Sequence, residues 1–263
     1  MTRMVLTGRL FMRISAFSVA VVALVLAGCG DDKAAAPGAA GDATAGATSG
    51  AAVVPPPAGS NWTEVTAMTP EGGFRMGNPD AKVKLVEFAS LTCPHCKDFH
   101  EAASETIKNR YVASGEVSYE FRNFVLNGPD YAASLLARCQ GPQAFFGLLG
   151  AFFNDQANWL EPFTKLTPEQ QAALSALPQE QQMAGLAAAG ELDGYVRTRG
   201  IPKAKFDQCL ADEAAIKTLA DLRTQATDKY KLTGTPGFVI NEQTQEGVFD
   251  WKTLEPKLQA ALQ

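Results

Sequence analysis

The feature that most constrains this chain is a pair of cysteines with two residues between them, Cys93-Pro94-His95-Cys96, set where a strand gives way to a helix. Before it, Val83-Lys84-Leu85-Val86-Glu87-Phe88-Ala89 reads as a buried strand, entered from the turn signal Gly77-Asn78-Pro79-Asp80. After it, Phe99, Ala103, Ile107 and Tyr111 recur on one helical face, and Gly115 is a stop. Val117, Tyr119 and Phe121 then alternate with Ser118, Glu120 and Arg122, the pattern of a strand with one face buried. Strand, helix and strand in succession make one parallel crossover unit.

Asn127-Gly128-Pro129 breaks that pattern, and the chain from Tyr131 to Lys229 is rich in Ala, Leu and Gln with no strand in it. Thr167-Pro168-Glu169-Gln170 predicts a capped helix start, with Thr167 as N-cap and Pro168 in the first position. Further helices are expected over 131–140 and Lys203–Leu210. A strand returns at Gly237–Ile240 after Gly234-Thr235-Pro236, a second short strand is expected over 246–249, and a closing helix over 253–262 with Pro256 in its first turn. The fold class is therefore α/β, split by an all-helical insertion: 62–127 and 230–263 form the α/β part, and 128–229 the helical domain.

The first 28 residues are not expected to belong to the fold. Arg3, Arg9 and Arg13 precede an apolar run over 14–26, too short to span a bilayer, which takes about 20 apolar residues. A basic start, a short apolar stretch and small residues describe a signal peptide. Leu26-Ala27-Gly28-Cys29 resembles the bacterial lipobox, which implies a lipid on Cys29 and a membrane anchor. The segment 29–61 is dominated by Ala, Gly and Pro and reads as a flexible tether, about 30 Å in root-mean-square reach. Residues 1–28 hold three basic and no acidic residues, so removing them takes the formal charge from −5 to −8. No Lys/Arg cluster remains to bind nucleic acid. The expected address is the periplasmic side of a bacterial membrane, and Gly30 rather than Asp after Cys29 leans toward the outer one.

Setting Cys29 aside leaves four cysteines in an exported chain, Cys93, Cys96, Cys139 and Cys209, and so three possible connectivities. The local pair is the natural one. It leaves Cys139 and Cys209 to join each other, or to remain as two buried thiols. Cys93 precedes a helix whose first residue is Pro94, so its sulfur faces unpaired N–H groups and the positive end of the helix dipole. Both favour thiolate, and His95 can add a hydrogen bond or charge. A dithiol stabilised in this way gives up its disulfide readily, with Cys93 as the attacked sulfur and Cys96 as its resolving partner. A structural zinc site would want four ligands, often two such pairs, where the chain has one pair and His100 as its only histidine besides His95, so no metal and no cofactor are expected. A copper-chaperone site, or a short structural disulfide, is the competing use of the pair.

Cys93-Pro94-His95-Cys96 at a strand-to-helix turn, Thr235-Pro236 before a late strand, Glu87 six residues ahead of Cys93 and the helical insertion together resemble the DsbA-like branch of the thioredoxin superfamily, over roughly 66–263. The resemblance implies a thioredoxin-like fold in which Pro236 is cis and packs beside Cys93. It also implies that the Thr235 backbone pairs with substrate peptide, and that Glu87 is a buried acid moving a proton for Cys96. Implied partners are exported proteins with free cysteines, and a DsbB-like membrane quinone reductase for reoxidation. Threonine before the proline is more typical of the isomerase branch, whose members are usually dimers built on an N-terminal dimerisation domain. The segment 30–60 cannot form one, so oxidase leads and isomerase or reductase follows.

Overall fold

Strand alternation decides the centre of the molecule. In β3 (Val83–Ala89) six of seven residues are buried, which requires cover on both faces. Val83 and Leu85 pack with Phe99, Ala103, Leu254 and Leu258 on one face, while Val86 and Phe88 pack with Ala226 and Tyr230 on the other. Glu87 therefore falls, by its odd position, on the face of Val83 and Leu85. The computed structural model describes residues 55–263. The expected signal peptide over 1–28, the lipidated Cys29 and most of the 29–61 tether lie outside the described residues.

The sheet has six strands: β1 (Thr66–Met68), β2 (Phe74–Met76), β3, β4 (Val117–Asn123), β5 (Gly237–Ile240) and β6 (Gln243–Thr244), in the order β1-β2-β4-β3-β5-β6. β3 pairs with β4 in parallel, and every other pairing is antiparallel. Between β3 and β4 runs α1 (Pro94–Thr106), continued as a π-helical stretch over Ile107–Val112. Gly115 ends it with φ at +78°, where any Cβ would also press on the Trp62 indole.

Two features differ from the expectation. The short strand lies at Gln243–Thr244 rather than over 246–249, because Asn241 and Glu242 both take positive φ. Two such residues make a tight hairpin, which pairs Ile240 with Gln243 before the chain reaches Val248. The closing helix, α10 (Trp251–Ala261), starts two residues early because Asp250 accepts the Thr253 N–H at 2.8 Å. Pro256 thus lies past the first turn, on an exposed position.

Eight α-helices separate β4 from β5, the last continued as a π-helical stretch over Gln225–Lys229: α2 (Gly128–Arg138), α3 (Pro142–Asn154), α4 (Gln156–Thr164), α5 (Pro168–Ser175), α6 (Gln179–Ala189), α7 (Leu192–Arg197), α8 (Lys203–Leu210) and α9 (Glu213–Thr224). Thr167 caps α5 through a reciprocal bond pattern with Gln170. The helices share one apolar core with the sheet: Phe74 of β2 stacks on Phe145 of α3 at 4.1 Å, and Phe121 of β4 meets the same ring at 5.7 Å. Cys93 and Cys96 belong to that core. A disulfide joins Cys139, at the C-cap of α2, to Cys209 of α8, with Cα atoms 5.6 Å apart. None of the helices among the described residues is long and apolar enough to cross a membrane.

Candidate active site

The site is assembled at the carboxyl end of β3, where the chain turns into α1. Cys93 is the N-cap of α1 and Pro94 its first residue, so the first-turn N–H groups lack helical acceptors, and those of His95 and Cys96 favour the Cys93 thiolate. Cys93 and Cys96 are both buried free thiols, Cys96 completely so. As a thiol, Cys93 donates to the Thr235 carbonyl at 3.4 Å, across the cis Thr235–Pro236 bond that enters β5.

The two sulfurs differ sharply in acidity. The Cys93 thiol is pulled down to about 5, first by the hydrogen bond from the Cys96 thiol, then by the Thr235 hydroxyl and the backbone N–H groups of Cys96 and His95, against burial, which pushes it up. Burial together with the neighbouring Cys93 sulfur holds Cys96 far above the ordinary thiol range. Proton and charge are therefore sorted within one helical turn: thiolate at Cys93, thiol at Cys96. The His95 side chain is exposed, and it is the backbone of this residue that serves the sulfur.

Glu87 lies beneath this pair, only 2% exposed, and its carboxylate accepts the Tyr119 hydroxyl at 2.7 Å. Burial pushes the Glu87 carboxyl up to about 8; the Tyr119 bond offsets part of that rise, and the Cys93 charge adds to it. A cavity of about 520 Å³ is lined by Glu87 and Tyr119 together with Phe99, His100 and Phe146. His100 stacks on Phe153 with centroids 5.1 Å apart.

The turn between β3 and α1 is held by groups that the sequence reading passed over. Asp130, fully buried, accepts the Leu91 N–H and the Leu126 N–H, both at 3.0 Å, and the Ser90 hydroxyl. Burial pushes the Asp130 carboxyl up to about 6, with the Ser90 hydroxyl and these N–H groups opposing the rise. Gln156 donates to the Leu91 and Cys93 carbonyls at 2.8 and 3.0 Å. In the sequence Asp130 looks like an ordinary first-turn acid of α2, and Gln156 carries no signal at all. Tyr119 was visible only as an apolar strand position.

A family model described as thioredoxin matches residues 69–260. The chain belongs to the thioredoxin family. Among curated relatives, a protein of Rickettsia bellii named as a protein-disulfide oxidoreductase is 29% identical over 178 residues, covering 68% of this chain and 60% of the relative. Its counterpart in Rickettsia prowazekii is 28% identical over 180 residues, covering 68% and 58%. The chain thus spans about three fifths of the length of these relatives. Among solved structures, the protein-disulfide isomerase of Novosphingobium aromaticivorans is 34% identical with a TM-score of 0.69, covering 72% of this chain and 96% of that one. Wolbachia pipientis alpha-DsbA1, 22% identical with a TM-score of 0.58 over 74% of this chain and 93% of its own, shares the fold. This thioredoxin-family chain has the DsbA-like architecture, with its helices between β4 and β5.

Proposed function

We propose that the chain is an extracytoplasmic protein thiol–disulfide oxidoreductase that donates disulfides to exported proteins through Cys93 and Cys96. The observation that carries this reading is the opposed acidity of the two sulfurs: Cys93 drawn down to about 5 at a helix start, Cys96 buried and held protonated. A low leaving-group pKa speeds departure of Cys93 from a mixed disulfide, and a stabilised thiolate makes the pair oxidising.

In the forward reaction a substrate thiolate attacks the Cys93 sulfur of the oxidised pair, and the Cys93–Cys96 bond breaks. The electron pair leaves on Cys96, which takes a proton from the Glu87 carboxyl, still protonated near neutral pH. A second substrate thiolate then attacks the substrate sulfur of the mixed disulfide and expels Cys93 as thiolate. The Thr235 backbone and Pro236 would align the extended substrate beside Cys93, Pro94 and His95 would complete the turn that presents it, and the helices over 128–229 would cap the face formed by 62–127 and 230–263. The Cys139–Cys209 disulfide would brace that cap. A DsbB-like quinone reductase is the fitting partner for reoxidation, with lipid on Cys29 holding the enzyme to the membrane. Cys29→Ser should release the protein from membranes, and continued fractionation with them would remove the anchor from this account.

Disulfide isomerisation is the second reading. It is favoured by Thr235 ahead of Pro236 and by the name of the Novosphingobium relative. Recovery of activity from a protein with scrambled disulfides would mark the isomerase, while a titration of the Cys93–Cys96 couple against glutathione separates an oxidase from a reductase. An oxidase should be half reduced at a potential well above the glutathione poise of about −220 to −260 mV. A couple at or below that poise would reject the oxidase and leave a reductase.

A further inference from the structure

The backbone of Leu91, just ahead of Cys93, is held through both its N–H and its carbonyl by the helices that follow β4. Its N–H goes to Asp130 of α2 at 3.0 Å, and its carbonyl accepts the Gln156 side-chain amide of α4 at 2.8 Å. The same nitrogen donates to the Cys93 carbonyl at 3.0 Å. An amide nitrogen has two hydrogens, so both are spent on this loop. Gln156 is 6% exposed and opens α4. One turn further on, Trp159 fixes that helix, donating its indole N–H to the Phe152 carbonyl at 2.8 Å and packing edge-on against the Phe152 ring.

The carbonyl that Gln156 grips matters because of what else it binds. Cys93 O also accepts the Lys97 N–H at 3.2 Å, the bond that opens the α1 ladder. The orientation of this peptide sets where the next N–H groups point, and those of His95 and Cys96 are the ones that stabilise the Cys93 thiolate. Methionine would fill the same volume, yet a buried carbonyl deprived of a donor carries a desolvation cost.

We propose that Gln156 is a positioning residue for the Cys93 nucleophile: its amide holds the Leu91 and Cys93 carbonyls so that the first-turn N–H groups of α1 face the sulfur. This rests on the oxidoreductase reading above. It makes the helical region a determinant of thiol acidity, in addition to a cap over the site.

The test compares the wild-type full-length chain with Gln156→Met and Gln156→Glu. Two quantities are read: the rate of Cys93 alkylation by iodoacetamide against pH, and the equilibrium of the Cys93–Cys96 pair with glutathione. Loss of the two bonds should slow alkylation near pH 4 by about tenfold in Gln156→Met and shift the glutathione equilibrium toward the oxidised pair. Gln156→Glu keeps the length of the side chain and offers at most one donor, so it should move both quantities in the same direction even where the methionine variant folds poorly. Variants that lose thermal stability while keeping the wild-type alkylation profile and equilibrium would overturn the positioning role alone. A wild-type Cys93 that alkylates like an ordinary thiol would overturn the positioning role together with the oxidoreductase reading.

Discussion

The two cysteine pairs sit at opposite ends of helices, and that difference is instructive. Cys93 is the N-cap of α1, where orphan N–H groups and the positive end of the dipole stabilise a thiolate. Cys139 is the C-cap of α2, where the carbonyl end offers a thiolate nothing, and its sulfur lies 3.8 Å from the Lys205 carbonyl. Cys93 and Cys96 are three positions apart and stand as free thiols; Cys139 and Cys209 are 70 apart and joined. The same side chain serves reactivity where the backbone stabilises its anion, and serves cross-linking where the backbone does not and the loop is long.

On the proposed function, the sharpest way to break this contrast is to remove each pair in turn. Cys93→Ser should abolish oxidation of a reduced test protein and Cys96→Ser should accumulate mixed disulfides, whereas the double change Cys139→Ala with Cys209→Ala should leave turnover per folded molecule intact. Turnover that persisted in Cys93→Ser would end the contrast.

Stability should run the other way. Losing the Cys139–Cys209 cross-link should cost about 4 kcal/mol in the chain-entropy model, read from urea melts. Reducing the local pair should instead stabilise the fold. The folded Cys93 value near 5 lies below the ordinary thiol value of 9.0. The contribution is therefore full above pH 9, about 3 kcal/mol at pH 7, and lost as the pH falls through 5. Melts of the oxidised and reduced forms against pH check both sign and window.

Glu87 sharpens the comparison from the acid side. Its carboxyl is raised from 4.5 to about 8 in the fold, so the unfolded chain ionises first and the wild type loses stability as the pH rises across that interval. Glu87→Gln should be more stable than wild type by about 3 kcal/mol at pH 7, with no gain at pH 4. An equal gain at both values would place the cause in packing. The smallest expected effect belongs to Thr235→Val, which removes one of the hydroxyl and N–H groups that favour the thiolate. Alkylation of Cys93 near pH 4 should slow about tenfold, the equivalent of one such bond.

Much of the frame was legible because it is written in local periodicity. The strand Val83–Ala89 and the helix Lys203–Leu210 coincide with β3 and α8, and Pro94 and Thr167 mark helix starts by rules that act over a single turn. β1 and β2 escaped notice because three residues are too few for alternation to register. The hairpin Asn241-Glu242 was hidden because positive φ at both positions follows from how β5 and β6 pair, and Glu242 gives no hint of it.

What the sequence determined by itself was the reactive turn: a strand, two cysteines with proline between them, and a helix whose unpaired N–H groups must face the first sulfur. Parity along β3 sets Glu87 on one face with Val83 and Leu85, and the structure shows that α1 covers that face. Only the tertiary structure decided what surrounds the turn. Tyr119 reaches Glu87 from a neighbouring strand, 32 positions away, Asp130 reaches Leu91 from 39, and Gln156 reaches Cys93 from 63. Each of those bonds closes a loop whose ends carry no mark of one another, and each forms because burial leaves a polar group no water to bind. Periodicity is a property of neighbours in the chain, whereas hydrogen-bond satisfaction in a core is a property of neighbours in space.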